Sequence, residues 1–188
     1  PAASSYLPLA GSDDPFRIEI GEKGWTLPFF EDFEDSSLFD LGWVNVWHGF
    51  GGYPWQITDY QVYEGEYAVV HYRGIEDSDP MDDWMVSPAL DFSAESSVQV
   101  NWRELGVSIS DLEAGLYVST GSRDPGDGDF VLAAPLVPGS SGEWERASVV
   151  NLTPWAGEPV VYLAWRYQGQ NSGDWYLDDV HVRTLGCD

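Results

Sequence analysis

Two adjacent carboxylates, Asp178 and Asp179, lie inside an apolar segment near the C-terminus. Residues 175–182 are rich in β-branched and aromatic side chains and contain no Gly or Pro, which predicts a β-strand. Side chains alternate between the faces of a strand, so one carboxylate must accompany whichever face is buried. The two predicted faces are Trp175, Leu177 and Asp179 on one side, and Tyr176, Asp178 and Val180 on the other. A buried carboxylate needs a base, a proton or a metal, and because basic residues are scarce, a bound cation is the first hypothesis.

The chain is strongly acidic, with 32 Asp and Glu against 8 Lys and Arg among 188 residues and a formal net charge of -24. Such a surface argues against nucleic acid and anionic membranes as partners, because both are recognised by basic residues. No run of about 20 apolar residues is present, so we expect no membrane insertion. The excess of carboxylates favours Ca²⁺, which prefers oxygen ligands. The alternative is a solvated acidic surface suited to an extracellular or salty setting.

Two further acidic segments are candidate cation sites. Residues 124–129 lack the alternating ligand pattern of a 12-residue calcium loop, and a plain hairpin loop is the favoured interpretation. Residues 76–83 are also more typical of a solvated loop.

A cluster of aromatic residues interleaved with glycines suggests a ligand site. Trp47, Tyr53 and Trp55 fall within a short span in which Gly allows close approach of a ligand. Aromatic faces can stack on sugar rings while a few polar groups orient the hydroxyls. The alternative is that these rings fill the core, as aromatic residues commonly do.

Catalysis has little support in the sequence. No nucleophile elbow, zinc-protease motif or phosphate-binding loop is present, and the three His residues are scattered. We therefore expect a protein that is not an enzyme.

The elements that must position these residues are about ten short strands separated by Gly- and Pro-rich loops, which predicts an all-β fold, a jelly-roll β-sandwich of two antiparallel sheets. We expect an N-terminal extension over residues 1–24, one domain over 25–184 and a tail over 185–188. Cys187 is the only cysteine, so no internal disulfide forms. The predicted strands cover residues 27–34, 43–47, 60–63, 67–72, 84–88, 97–103, 115–119, 143–150, 160–167 and 175–182. In the strand 97–103, alternation predicts that Val98, Val100 and Trp102 face the core and that Gln99, Asn101 and Arg103 face outward.

Several motifs, in order, resemble the choice-of-anchor J and cleaved-adhesin domains of secreted bacterial proteins, which are related to MAM domains and to jelly-roll carbohydrate-binding modules. Together they span residues 27–182. The matching segments are residues 27–34, 42–43, 83–88 with 90–93, 117–120, 161–167 and 175–180.

This resemblance implies a structural calcium that joins the first strand of the domain to the last. Carried onto this sequence, its ligands are Glu34 and Asp179, with Asp178, Asp32 and Glu66 within reach. The chain departs from the family in residues 48–55, where many relatives have an Asp-rich loop.

The resemblance also implies a non-enzymatic adhesion or binding module on a larger exported protein, located outside the cell or at its surface. Its partner would be a glycan or a cell-surface protein. The alternative is a carbohydrate-binding module that serves a secreted enzyme.

Overall fold

The computed structural model describes residues 24–34, 42–48, 54–73 and 80–185. These residues form fourteen strands and two short 3₁₀ turns. The strands are β1 (Trp25–Thr26), β2 (Phe29–Glu31), β3 (Val44–Trp47), β4 (Gln56–Thr58), β5 (Ala68–His71), β6 (Pro80–Val86), β7 (Leu90–Asp91), β8 (Val98–Val107), β9 (Glu113–Ser119), β10 (Val131–Leu136), β11 (Glu145–Arg146), β12 (Val150–Asn151), β13 (Tyr162–Gln170) and β14 (Asp174–Thr184).

Two antiparallel sheets make up the fold, as the sequence predicts for a jelly-roll β-sandwich. The five-stranded sheet has the order β10-β9-β13-β6-β3. The seven-stranded sheet has the order β11-β8-β14-β5-β4, with β12 also paired to β8 and β2 to β14. A short parallel pair, β1 with β7, lies beside them. Within the described part of the chain, no helix is long and apolar enough to cross a membrane.

Alternation of apolar and polar side chains explains why the sheets stack. In β8, Val98, Val100 and Trp102 face the interior, as predicted. Large rings from both sheets meet in the core: Trp165 of β13 contacts Trp43 and Trp102, with ring centroids 5.9 and 5.4 Å apart. Such aromatic pairs bury large apolar areas and account for much of the stability of the sandwich.

Carboxylates that face the core are paired with indole N–H groups. Trp102 and Trp175 both donate to Glu104, each over 3.2 Å, and Trp43 donates to Glu31 over 2.8 Å. A buried acceptor without a donor would destabilise the fold, and these hydrogen bonds offset the cost of burying Glu31 and Glu104.

Some predicted strand boundaries were wrong. Residues 60–63 form a loop, and the partner of β5 is instead β4. Residues 27–34 contain only the three-residue β2, and residues 143–150 are divided between β11 and the start of β12. Asn101 was expected to face solvent, but it is buried on the outward face of the sheet beneath the guanidinium of Arg146.

The alternation of β14 was also predicted incorrectly beyond its middle. The pairing of β14 with β8 shifts between Asp178 and His181, and Asp179 has a positive φ of 50°. This bulge inserts an extra residue, so Val180 faces the core together with Leu177 instead of sharing a face with Asp178.

Candidate functional site

Asp178 is the carboxylate of the pair that the fold buries. Its side chain is 0% exposed and lies on the outward face of the seven-stranded sheet, beneath the loop formed by residues 63–67. Its Oδ1 accepts from the N–H of Asp179 over 2.8 Å, and its Oδ2 accepts from the N–H of Tyr63 over 3.2 Å. Burial raises the pKa of Asp178 to about 7, and these backbone donors oppose the rise.

Asp179 lies at the bulge and is only half-buried. Burial raises its pKa, and the negative charges of Glu64 and Asp32 raise it further, whereas His181 and Arg103 lower it. Several carboxylates are thus close enough to repel one another on this side of the domain.

Glu34, which follows β2, also forms hydrogen bonds with the loop 63–67. Its carboxylate accepts from the N–H of Glu66, at 3.0 Å to Oε1 and 2.9 Å to Oε2, and from the N–H of Tyr67 over 3.2 Å. Gly65 permits this approach, because a Cβ at that position would lie 2.1 Å from Oε1 of Glu34 and its φ is +81°.

The loop 63–67 therefore brings together the two ends of the predicted metal site. Glu34 from the beginning of the domain and Asp178 from its last strand both bond to backbone N–H groups of this loop. Asp32 accepts from the N–H of Glu34 over 3.4 Å and is exposed. The backbone N–H of Glu66 donates to Glu34, whereas the carboxylate of Glu66 is exposed.

The carboxylate oxygens around this loop point mainly at N–H donors. Among the described residues, no group of three or more His, Cys, Asp or Glu side chains is gathered closely enough to hold a metal ion. The charge and the donor types suit Ca²⁺, but a bound ion would require some of these carboxylates to turn from the backbone toward it.

The other acidic segments have partners of their own. In residues 124–129, Asp124 accepts from the N–H of Gly126 over 2.8 Å and Asp127 accepts from the hydroxyl of Ser122 over 2.5 Å, as in a plain turn. Of residues 76–83, those before 80 lie outside the described residues.

Asp83 forms a buried link between the two sheets. Nε2 of His71, on β5, lies 2.7 Å from Oδ2 of Asp83, on β6. The imidazole stacks on Tyr167 with centroids 3.8 Å apart, and burial lowers the pKa of His71 in spite of the carboxylate. Both side chains are sealed from solvent, which makes this pair a structural contact between the sheets.

The three aromatic residues predicted to bind ligand have different outcomes. The prediction for Trp55 is wrong, because its ring is 1% exposed and packs in the core against His71 and Trp175. Trp47 is 60% exposed at the end of the edge strand β3, and its role stays a prediction. Tyr53 lies outside the described residues.

A group of rings that the sequence did not single out covers part of the outward face of the seven-stranded sheet. We call Tyr63, Tyr72, Trp144 and Tyr176 the aromatic tier. Trp144 contacts Tyr63 and Tyr176, with centroids 5.8 and 6.5 Å apart, and Tyr72 contacts Tyr176 over 6.2 Å. The sequence does contain one indication of this cluster: Tyr176 lies between the core residues Trp175 and Leu177, so alternation directs its ring to the outward face.

Polar groups accompany the tier. The guanidinium of Arg103 lies 4.5 Å from the centre of the Tyr63 ring. Nε1 of Trp144 is buried and has no hydrogen-bond partner among the described residues. Tyr63 is 37% exposed and the neighbouring Tyr60 is 64% exposed, so part of this surface is open to solvent. The arrangement offers ring faces and hydrogen-bond donors side by side, which is the composition of a ligand site.

The sheets and their strand order place the chain in the class of jelly-roll β-sandwich domains. No protein-family model matches the sequence, and no match is found among curated proteins.

Solved structures nevertheless share the fold. The K2 cleaved adhesin domain of Lys-gingipain superposes with a TM-score of 0.60 at 16% identity, over 83% of this chain and 99% of that domain. The K1 cleaved adhesin domain of Lys-gingipain from Porphyromonas gingivalis W83 has a TM-score of 0.58 at 16% identity, over 84% and 98% of the two chains. TmCBM61, solved in complex with β-1,4-galactotriose, has a TM-score of 0.55 at 12% identity, over 82% and 99%. At such identities the similarity establishes the shared fold, and it confirms at that level the resemblance to cleaved adhesin domains.

Proposed function

We propose that this chain is a non-enzymatic, extracellular binding module and that a glycan is the ligand which its surface supports best. The observation that carries the proposal is the aromatic tier on the outward face of the seven-stranded sheet. Tyr and Trp offer large rigid surfaces at a small cost in conformational entropy. A sugar ring can stack on the exposed part of these faces, while the guanidinium of Arg103 beside Tyr63 donates to a hydroxyl.

The fold relatives are consistent with this proposal. One of them is a carbohydrate-binding module solved with a bound galactotriose, and the others are cleaved adhesin domains. We further propose that the chain is of the choice-of-anchor J type and belongs to a larger exported protein.

Glycan-array binding tests the function, followed by titration of the best glycan against variants. Trp144→Ala and Tyr63→Ala should each weaken binding about tenfold or more, the size expected for loss of an aromatic anchor. Trp25→Ala is the matched control, because Trp25 is an exposed Trp of the short parallel pair β1 with β7, and this variant should bind as the wild type does. Trp47→Ala tests the position first predicted, and loss of binding in that variant alone would place the ligand site there and contradict the aromatic tier.

Absence of binding to every glycan, together with saturable binding to a cell-surface protein, would contradict the glycan assignment and support protein adhesion. Turnover of a glycan by the isolated chain would overturn the non-enzymatic part.

We also propose that Ca²⁺ stabilises the domain beside the loop 63–67. Glu34 and Asp178 would supply carboxylate oxygens, with Asp179, Asp32 and Glu66 nearby. The support is the charge of this region: carboxylates from both ends of the domain converge on one loop, and within the described residues Arg103 and His181 are the basic groups that act on Asp179. A bound cation would relieve their mutual repulsion and hold the two ends of the domain together.

Metal analysis of the purified protein and thermal unfolding with calcium or with chelator test this second proposal. Calcium should raise the Tm of the wild type, and Asp178→Asn and Glu34→Gln should abolish most of that increase. Asp124→Asn, in the turn before β10, is the control and should retain it. Identical melting with calcium and with chelator would disprove the site.

A further inference from the structure

Basic residues are rare in this chain, yet three of the eight lie on one face. Arg103 and Arg146 occupy opposed positions on β8 and β11, and Arg183 lies on β14. All three alternate with core residues, namely Trp102, Ala147 and Val182, so they project from the outward face of the seven-stranded sheet. In a chain of net charge -24 this is a local concentration of positive charge.

The register of the strands assembles a patch from two of these arginines and their neighbours. His181 of β14 lies opposite Asn101 of β8, and Arg183 lies opposite Gln99. On the other side of β14, His181 is paired with Phe30 of β2, and the two rings meet edge to face with centroids 4.3 Å apart. We call Phe30, Gln99, Asn101, Arg146, His181 and Arg183 the basic patch.

Amides, not carboxylates, hold the two guanidinium groups of the patch. Nη2 of Arg146 donates to Oδ1 of Asn101 over 3.1 Å. With the amide of Gln99 oriented so that its oxygen faces Arg183, that oxygen accepts from Nε over 2.9 Å and from Nη2 over 3.1 Å. Within the described part of the chain, neither arginine forms an ion pair with a carboxylate.

His181 is exposed on the same outward face, opposite Asn101 and two residues before Arg183. The exposed guanidinium groups retain N–H donors whose planar geometry suits a carboxylate. Phe30, half-exposed beside them, adds an apolar ring face.

We propose that the basic patch binds the carboxylate of an acidic sugar, so that the ligand of this module is a uronic-acid polysaccharide. The inference rests on the proposed glycan-binding function and specifies its ligand class. Along β14 the patch begins at His181, five residues and about 17 Å from Tyr176 of the aromatic tier at roughly 3.3 Å per residue, so a polymer can lie across both regions of the face.

The overall negative charge of the domain does not prevent this contact at physiological ionic strength. Exposed charges farther apart than a Debye length of about 8 Å are largely screened, whereas guanidinium groups in direct contact with a carboxylate are not. The patch therefore determines the local preference while the remaining surface repels unattached polyanions only weakly.

Binding of polygalacturonate and of its fully methyl-esterified form, measured at physiological ionic strength, tests the inference. Both polymers share a backbone, and only the first carries charge. The wild type should bind polygalacturonate more tightly, and Arg146→Gln and Arg183→Gln should each weaken that binding about tenfold while leaving binding of the ester unchanged. Arg123→Gln, which removes an exposed charge from the turn after β9, is the matched control and should have no effect.

The outcomes separate the two proposals. Equal affinity for both polymers, or binding of neutral glycans alone, would overturn the acidic-sugar inference and leave the glycan-binding function intact. Failure to bind any glycan would overturn both. Equally tight binding of polyglutamate would show that the patch recognises a carboxylate polymer in general, which contradicts a saccharide ligand.

Discussion

The outward faces of both sheets carry arginine side chains packed against aromatic rings, but the hydrogen-bond partners of these arginines differ between the two faces. On the five-stranded sheet, Arg166 lies between Trp84 and Tyr117, 4.9 and 5.9 Å from their ring centres. Its guanidinium donates to both oxygens of Asp82, over 2.6 and 2.7 Å. These hydrogen bonds raise the pKa of Arg166 further above its usual value. All three nitrogens of the guanidinium donate within the chain, because Nη1 also donates to the hydroxyl of Tyr117 over 3.3 Å.

On the seven-stranded sheet, the described residues show no such two-bond contact between an arginine and a carboxylate. Arg103 lies over Tyr63, and within the same residues Arg146 and Arg183 donate to the amides of Asn101 and Gln99. The comparison teaches that an aromatic and arginine cluster is not itself a binding surface. The presence of an internal carboxylate partner decides whether its donors stabilise the fold or stay available to a ligand.

The largest expected difference is in the loss of stability when a loop glycine is replaced by Ala, either beside the seven-stranded sheet or beside the five-stranded sheet. Gly65→Ala should lower the free energy of unfolding by about 3 kcal/mol, because the new Cβ would displace the Glu34 carboxylate from its backbone donors and the residue has a positive φ. Gly128→Ala, in the turn between β9 and β10, has the same backbone strain with no atom within 4 Å of the new Cβ. It should cost only about 1 kcal/mol. Urea unfolding in chelator measures both, and equal losses would show that the Glu34 contact contributes nothing.

A second experiment compares the arginines directly. Asp82→Asn should destabilise the protein by about 2 kcal/mol, because it removes the charge from a two-bond contact with Arg166. Arg103→Gln should cost less than about 1 kcal/mol, the range of an exposed cation–π contact. The same unfolding measurement applies, and the comparison of the two faces fails if Arg103→Gln is the more damaging change.

The smallest expected effect is a pH dependence of the free energy of unfolding, caused by His71, which is buried between the two sheets. Burial lowers its pKa in the folded protein, so below about pH 6.5 the unfolded chain takes up a proton that the folded chain does not. Its contribution to stability is therefore present above that pH and is lost as the pH falls toward the folded pKa. Between pH 7.5 and 5.5 the wild type should lose about 1 kcal/mol relative to His71→Gln, which retains an N–H donor for Asp83 but does not titrate. A difference that is independent of pH would mean that His71 is not held neutral.

The sequence was sufficient for the fold because the strands alternate strongly and are bounded by clear turn signals. Residues 98, 100 and 102 were correctly assigned to the core. The argument that one carboxylate must accompany the buried face of β14 was wrong, because the bulge removes Asp179 from the core face and Asp178 is instead buried on the outward face by the loop 63–67. A bulge depends on pairing with a neighbouring strand, which one strand's own pattern does not reveal.

The ligand surface was harder to predict for a related reason. Trp55, beside Pro54, resembled an exposed loop residue, but β4 turns its ring into the core. The segment 60–63 has strand-like composition and yet serves as a loop that covers Asp178. In both cases tertiary contacts overrode local preference, and the aromatic tier and the basic patch exist only after several strands are placed in register.

The pairing of β2 with β14 has a mechanical consequence. Phe29 pairs with Val182 and Glu31 with Val180, so the outer ends of these two strands leave the sheet side by side. The start of β2 lies beside the end of β14, because the two strands are antiparallel. A force that pulls these two ends apart would therefore break the three residue pairs one after another and not all at once. Beyond these pairs the load would reach the fully buried ring of Phe33 and then the hydrogen bonds of Glu34 to the loop 63–67, and these two contacts would together resist further opening at this edge of the domain.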